Sequence, residues 1–119
     1  MPDLTREELI KILAVTDHAR LAGVDLSGLN LCALNFADAD LTRANLSRTN
    51  LANAYMRGAR MEEANLEGAI LTNANLREVN LKGSNLRDAD MRGANLTDAV
   101  FYGADMQGAK IDWSRELQR

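Results

Sequence analysis

A large apolar residue recurs at every fifth position of this chain, without interruption, from Leu26 to Ile111. Eighteen consecutive positions follow this period, and each holds Leu, Phe, Met or Ile. An α-helix would carry such residues around its axis, and a β-strand would place alternate ones on opposite faces. The chain must therefore turn once in every five residues if all of these side chains are to reach one interior.

Two further positions of each five-residue unit are restricted. The residue two places before the apolar centre is mostly Ala, and the residue between them is mostly Asn or Asp, as in Ala44-Asn45-Leu46. A unit of this size cannot bury its apolar side alone, so stacked units must share one continuous core. Aromatic residues make up only 4% of the chain against 46% hydrophobic residues, which agrees with a narrow core.

The pattern A-[ND]-L-x-x, seen in Ala44-Asn45-Leu46-Ser47-Arg48 and Ala94-Asn95-Leu96-Thr97-Asp98, resembles that of the pentapeptide repeat family. The resemblance covers roughly residues 22 to 113. It implies an all-β solenoid, namely a right-handed quadrilateral β-helix with four pentapeptides in each coil and the centre and small residues pointing inward. Eighteen units would then form about four and a half coils.

Residues 1–22 are expected to form an N-terminal helical cap and connector, because the open end of a solenoid exposes unpaired strand edges. Thr5 to Glu8 has the sequence of a capping box, and apolar residues follow it at helical spacing. We expect a helix from about Arg6 to Thr16, packed on the first coil. A signal peptide is not expected, since acidic residues precede a broken apolar run.

The solenoid is assigned to residues 23–113, and residues 114–119 to a short C-terminal tail or cap. Trp113 and Leu117 are the apolar residues available at this end. Two roles are compatible with them: a plug over the last coil, or a contact that joins two rods end to end. The chain is accordingly expected to be a monomer or an end-to-end homodimer.

Catalytic and metal-binding chemistry has little support in the sequence. His18 is the only histidine and Cys32 the only cysteine, so neither a Cys/His zinc site nor a disulfide can form within the chain. His18 and Cys32 are interpreted as a histidine in the cap and a surface cysteine of the first coil. We expect no enzyme activity, no catalytic residues and no cofactor or metal.

The outward positions are the candidates for function. The Asn and Asp column is interpreted as bonding to turn backbone, which these side chains commonly do. The outward apolar residues Val100, Tyr102, Tyr55 and Ile70 are the candidate partner-binding residues, with Val100 and Tyr102 adjacent near the C-terminal end.

Charge separates two functional hypotheses. Some members of the family are described as DNA mimics that bind type II topoisomerases, and such mimicry would need carboxylates concentrated along the rod. Here 14 basic and 17 acidic residues give a net charge of −3 and are interspersed on all four faces. Nucleic-acid binding is not expected either, because no basic stripe with interleaved aromatic residues is present.

These observations favour a cytoplasmic, non-catalytic, rigid protein–protein interaction module with an unidentified protein partner and no membrane association. The alternative is a DNA-mimicking regulator or protector of a type II topoisomerase such as gyrase.

Overall fold

The computed structural model describes residues 2–112. Its dominant element is a parallel β-helix built from single bridged residues, each of which pairs with the residue twenty positions later, from Arg20 with Asp40 to Asp90 with Lys110. Within residues 2–112 no strand extends beyond one bridged residue. Four five-residue units therefore complete one coil.

The four sides of each coil are numbered by the bridged residues stacked on them. Side 1 carries Asp25, Asn45, Asn65, Asn85 and Asp105; side 2 carries Asn30, Asn50, Ile70, Asp90 and Lys110; side 3 carries Asn35, Tyr55, Asn75 and Asn95; and side 4 carries Arg20, Asp40, Arg60, Asn80 and Val100.

Backbone hydrogen bonds join each coil to the next and also close each corner. On side 1, the Leu46 N–H donates to the Asn65 carbonyl at 2.7 Å, and the Asn65 N–H donates to the Ala44 carbonyl at 2.9 Å. The Ala64 N–H donates back to the Met61 carbonyl at 3.1 Å, which closes a β-turn. The third residue of that turn, Glu63, has φ 57°, as a type II turn requires.

The apolar centres and the small residues fill the interior, as the period of five predicts. Centres from Leu21 to Leu96 are buried, and Ala occupies most of the second inward position. Val24, Leu29 and Leu34 take the place of Ala in the first coil and are partly buried against the same core. Because two inward residues per side fill the tube, large aromatic side chains have little room there.

The helix α1 spans Arg6–Ala14. The predicted capping box is confirmed: the Glu8 N–H donates to Thr5 Oγ1 at 3.1 Å, and the Thr5 N–H donates to Glu8 Oε1 at 2.9 Å. Leu9 is fully buried in the core that the coils share. The helix ends two residues before the expected Thr16, and the Val15 N–H that follows it bonds the Ile12 carbonyl at 3.3 Å.

The first coil begins before residue 23, within the segment expected to be the connector. Ala19 and Leu21 are buried in the core, and Arg20 forms the first parallel bridge. Leu21 stands five residues before Leu26, so the period itself extends to this unit. Arg20 stands where most units have Asn or Asp. The unit Ala19-Arg20-Leu21 therefore does not match the A-[ND]-L pattern and is not recognised as a repeat from it.

Candidate interaction surface

The outward Asn and Asp side chains serve the fold itself. At thirteen bridged positions Oδ1 accepts a hydrogen bond from the N–H two residues later; for example, the Glu67 N–H donates to Asn65 Oδ1 at 3.1 Å. This Asx arrangement stabilises the start of each corner. The interpretation of the column as a turn-bonding feature is thus confirmed.

Six bridged positions lack Asn or Asp and cannot make this hydrogen bond: Arg20, Tyr55, Arg60, Ile70, Val100 and Lys110. Three of these side chains are large, apolar and exposed, with exposed fractions of 57% for Tyr55, 43% for Ile70 and 45% for Val100. At these three positions the hydrogen bond of an Asn or Asp side chain to the turn is therefore absent, and an apolar side chain is exposed to solvent instead.

The structure brings only two of the four candidate residues together. Val100 and Tyr102 lie side by side on side 4, where Tyr102 is 77% exposed. Lys82, in the coil above, places Nζ 5.9 Å from the centre of the Tyr102 ring, at cation–π distance. Tyr55 lies on side 3 and Ile70 on side 2, so the four residues do not form one patch.

Charged side chains of both signs form short-range networks on the surface. Glu78 Oε1 lies 3.2 Å from Arg57 Nη2 and 3.8 Å from Arg77 Nε. Arg92 Nη2 lies 2.7 Å from Asp90 Oδ2, and hydrogen bonds from the Arg92 side chain lower the pKa of the Asp90 carboxyl below its ordinary value. Glu78 and Asp90 are therefore each partnered by a neighbouring cation.

The N-terminal segment bonds the exposed edge of the first coil on two sides. On side 1, the Asp3 N–H donates to the Asp25 carbonyl at 2.6 Å, and the Asp25 N–H donates to Asp3 Oδ2 at 2.8 Å. On side 2, the Arg6 guanidinium donates to the carbonyls of Asn30 and Cys32. The periodic pattern gave no indication of these contacts, because Asp3 and Arg6 precede it.

A groove of about 740 Å³ opens on side 4 below the same edge. Its lining includes His18, Arg20, Asp38, Asp40 and Arg60. Among residues 2–112, no carboxylate oxygen lies within 4.0 Å of the guanidinium of Arg20 or Arg60. The groove thus carries two cationic groups that form no ion pair within this distance, although the charge of Arg60, after the hydrogen bonds from Thr42, helps to lower the pKa of the Asp40 carboxyl.

The remaining chemically notable residues are dispersed. His18 lies at the side 4 groove, whereas Cys32 lies on the opposite side 2 beside Arg6. In the described part of the chain, no three His, Cys, Asp or Glu side chains are placed to hold a metal ion. No helix there is both long and apolar enough to cross a membrane. Trp113 and Leu117, proposed as a plug or dimer contact, lie outside the described residues.

Sequence and structure comparisons identify relatives. The family model for pentapeptide repeats (8 copies) matches residues 17–51, 35–73 and 74–112. Comparison with curated proteins gives no match. The pentapeptide repeat protein Rfr23 from the cyanobacterium Cyanothece 51142 is 33% identical, with a TM-score of 0.46, over 80% of this chain and 64% of its own. This chain therefore spans less than two thirds of the length of Rfr23.

Two other solved structures extend the comparison. A pentapeptide repeat protein from the Arabidopsis thaliana thylakoid lumen is 29% identical, with a TM-score of 0.50, over 88% of this chain and 76% of its own. QnrB1, a plasmid-mediated fluoroquinolone resistance protein, is 25% identical, with a TM-score of 0.26, over 79% of this chain and 62% of its own. Since the family match extends over most of the sequence, this chain belongs to the pentapeptide repeat family, whose members form right-handed quadrilateral β-helices.

Proposed function

We propose that this chain is a non-catalytic, rigid protein–protein interaction module in the cytoplasm, and that Val100 and Tyr102 on side 4 are part of its partner-binding surface. The observation that carries the proposal is the placement of exposed apolar residues at bridged positions. Tyr55, Ile70 and Val100 occupy positions where Asn or Asp would stabilise the turn. A side chain that faces solvent there contributes little to the coil and is available to a partner.

Val100 and Tyr102 are the strongest pair in chemical terms. Tyrosine combines a large apolar ring with a hydroxyl group and is enriched among the residues that dominate interface energetics. The cation–π contact with Lys82 fixes one side of the Tyr102 ring and leaves most of the ring exposed. Tyr55 and Ile70, on sides 3 and 2, are proposed as separate and weaker contacts.

Rigidity follows from the hydrogen bonding of the coil. Each interior layer donates to and accepts from both neighbouring layers, so a side chain on one layer is held at a fixed height relative to the next. Such a surface loses little conformational entropy when a partner binds. The dispersed His, Cys and carboxylate residues support a role without catalysis.

The ends of the rod are part of the same proposal. We treat the solenoid as about four and a half coils, with α1 and the residues before it as the cover of the first coil. Buried Leu9 and the edge contacts of Asp3 and Arg6 support that role for the N-terminal segment. Trp113 and Leu117 are proposed as a plug or as an end-to-end dimer contact.

Site-specific photocrosslinking tests the partner surface. A photoreactive phenylalanine at residue 102 should give a discrete crosslinked product in cells. The same substitution at Arg92, which has the equivalent position in its unit on opposite side 2, should not give it. Identical products from residues 102 and 92 would contradict a specific surface on side 4.

The topoisomerase alternative has a separate readout. Salt-sensitive inhibition of gyrase supercoiling by the purified protein, measured at two salt concentrations, would favour DNA mimicry. Screening removes much of the field of exposed charges beyond about 8 to 10 Å at physiological salt. The local pairing of Asp90 with Arg92 and of Glu78 with two arginines supports the expectation of no inhibition.

A further inference from the structure

We propose that the edge of the first coil on side 4, residues 20–22, binds an extended acidic segment of a partner protein by strand addition. The inference rests on the proposed interaction function and names the chemistry of one partner segment. It concerns the N-terminal end of side 4, whereas Val100 and Tyr102 lie near the other end.

The repeat defines which backbone groups are unpaired at this edge. In the second coil, the Asp40 N–H donates to the Ala19 carbonyl, the Asp40 carbonyl accepts from Leu21, and the Thr42 carbonyl accepts from Gly23. The equivalent groups of the first coil are the Arg20 N–H and the carbonyls of Arg20 and Ala22. Within residues 2–112 these three groups have no hydrogen-bond partner. Such an edge is a template for another strand.

Side 1 demonstrates how the same edge is occupied. Asp25 is the counterpart of Arg20, one unit further along the first coil. The Asp3 backbone N–H donates to the Asp25 carbonyl, and the Asp3 carboxylate accepts from the Asp25 N–H. An aspartate of the N-terminal segment thus replaces the missing coil with one donor and one acceptor. The four-sided repeat presents the corresponding groups at Arg20.

On side 4 the edge residue is the cation Arg20, which favours an acidic segment, whereas the equivalent residue on side 1 is Asp25. Arg20 is exposed, and its guanidinium and that of Arg60 have no carboxylate within 4.0 Å among the described residues. Arg60 lies two coils below the edge, on the wall of the groove. A carboxylate on an added strand would meet Arg20 directly.

The two carboxylates of the groove already have other contacts. Asp40 Oδ1 accepts from the Thr42 N–H at 3.1 Å and from the Thr42 hydroxyl at 2.6 Å. Asp38 Oδ1 lies against Gly58 in the coil below. Asp40 is therefore directed to its own layer and Asp38 to the layer below, while the first layer presents Arg20 together with the exposed His18. The edge favours an acidic over a basic segment.

Peptide binding tests the inference on the intact protein. The probe is the fluorescein-labelled peptide Thr-Val-Asp-Val-Glu. In one control peptide Asn and Gln replace Asp and Glu. The other control peptide keeps the sequence but carries an N-methyl group on the Asp backbone nitrogen. We expect fluorescence anisotropy to give binding of the acidic peptide at least tenfold tighter than binding of either control peptide. The Arg20 amide signal in a ¹H–¹⁵N spectrum should shift on binding.

Protein variants locate the effect. Arg20→Glu should weaken binding of the acidic peptide at least tenfold, whereas Arg48→Glu, at the corner between sides 1 and 2, should leave it unchanged. Circular dichroism confirms that both variants are folded, and the N-methyl comparison on the unaltered protein does not depend on either variant.

Three results would overturn strand addition at this edge: no binding of the acidic peptide, equal binding of the N-methylated peptide, or spectral shifts confined to other coils. Those results leave the crosslinking at residue 102 unaffected, so failure of this inference is distinguishable from failure of the proposed function.

Discussion

Asp38 places its Oδ1 atom against Gly58, in the space that a Cβ atom at residue 58 would occupy. The two residues occupy the same corner in successive coils, twenty positions apart. Gly58 has φ +73°, and so does Gly28, where no atom of residues 2–112 lies within 4 Å of an added Cβ. The two glycines thus have the same backbone conformation but differ in the space around them.

This difference predicts unequal costs for alanine at the two positions. Gly28→Ala should lower the free energy of unfolding by about 1 kcal/mol, the cost of a left-handed conformation for a residue with a side chain. Gly58→Ala should cost about 1 kcal/mol more, because the Asp38 carboxylate must move. Urea denaturation of both variants measures the difference.

The Asp38→Gly background is the control for this comparison. Asp38 has φ 59°, which glycine adopts readily, so the background should fold. In it, Gly58→Ala should cost no more than Gly28→Ala. Equal costs for the two substitutions in the unaltered protein would contradict a steric role for Asp38.

Adjacent residues in the middle of the rod give a second prediction. Leu66 is 0% exposed, whereas Glu67 is exposed and its carboxylate accepts from the Asn85 amide at 3.2 Å. Leu66→Ala should cost about 3 kcal/mol of stability, and Leu66→Arg should abolish cooperative unfolding, because it buries an unpaired charge. Glu67→Arg should change stability by less than about 0.5 kcal/mol. Equal tolerance at both positions, measured by thermal denaturation, would refute the inward register.

Much of the repeat could be predicted from residue spacing alone. The period of five places Leu66 inside and Glu67 outside, and the known behaviour of Asn predicts the hydrogen bond that the Glu67 N–H donates to Asn65 Oδ1. The period does not determine how many units form one coil. That number came from the family resemblance, and it is what brings Asp38 above Gly58.

The N-terminal edge could not be predicted in this way. Asp3 bonds Asp25 across 22 residues and Arg6 bonds Asn30 across 24 residues, and neither contact belongs to the repeat. These contacts depend on how the N-terminal segment and α1 pack against the first coil. A local sequence pattern does not determine that packing. The groove at Arg20 was missed for the related reason that this unit lacks the Asn or Asp of its neighbours.

A buried hydroxyl group gives a third prediction. Ser84 takes the small inward position, and its Oγ is buried with no hydrogen-bond partner among residues 2–112. Thr49, at the equivalent position, donates to the Leu46 carbonyl at 2.7 Å. Ser84→Ala should therefore raise the free energy of unfolding by about 1 kcal/mol, whereas Thr49→Val should lower it by about 1 kcal/mol. A loss of stability in Ser84→Ala under chemical denaturation would indicate that Ser84 Oγ is satisfied in solution.

The final prediction concerns acid stability. The Thr42 hydroxyl, followed by the Thr42 backbone N–H, lowers the pKa of the Asp40 carboxyl below its ordinary value of 3.8. A depressed folded-state pKa contributes stability above the unfolded-state value, and this contribution is lost as the pH falls through the folded-state pKa. Thr42→Val removes the hydroxyl donor, so it should raise the Asp40 pKa in an NMR titration of the carboxyl carbon.

The same variant should lose less stability than the unaltered protein between about pH 5 and pH 2. Thr72→Val is the matched control: Thr72 holds the same place in its unit, but Ile70 stands where Asp40 stands relative to Thr42. Its pH dependence should equal that of the unaltered protein. Unfolding curves at several pH values distinguish the two variants. Parallel curves for both would contradict the assigned cause, since of these two threonines only Thr42 has a carboxylate two residues earlier to which its hydroxyl can donate.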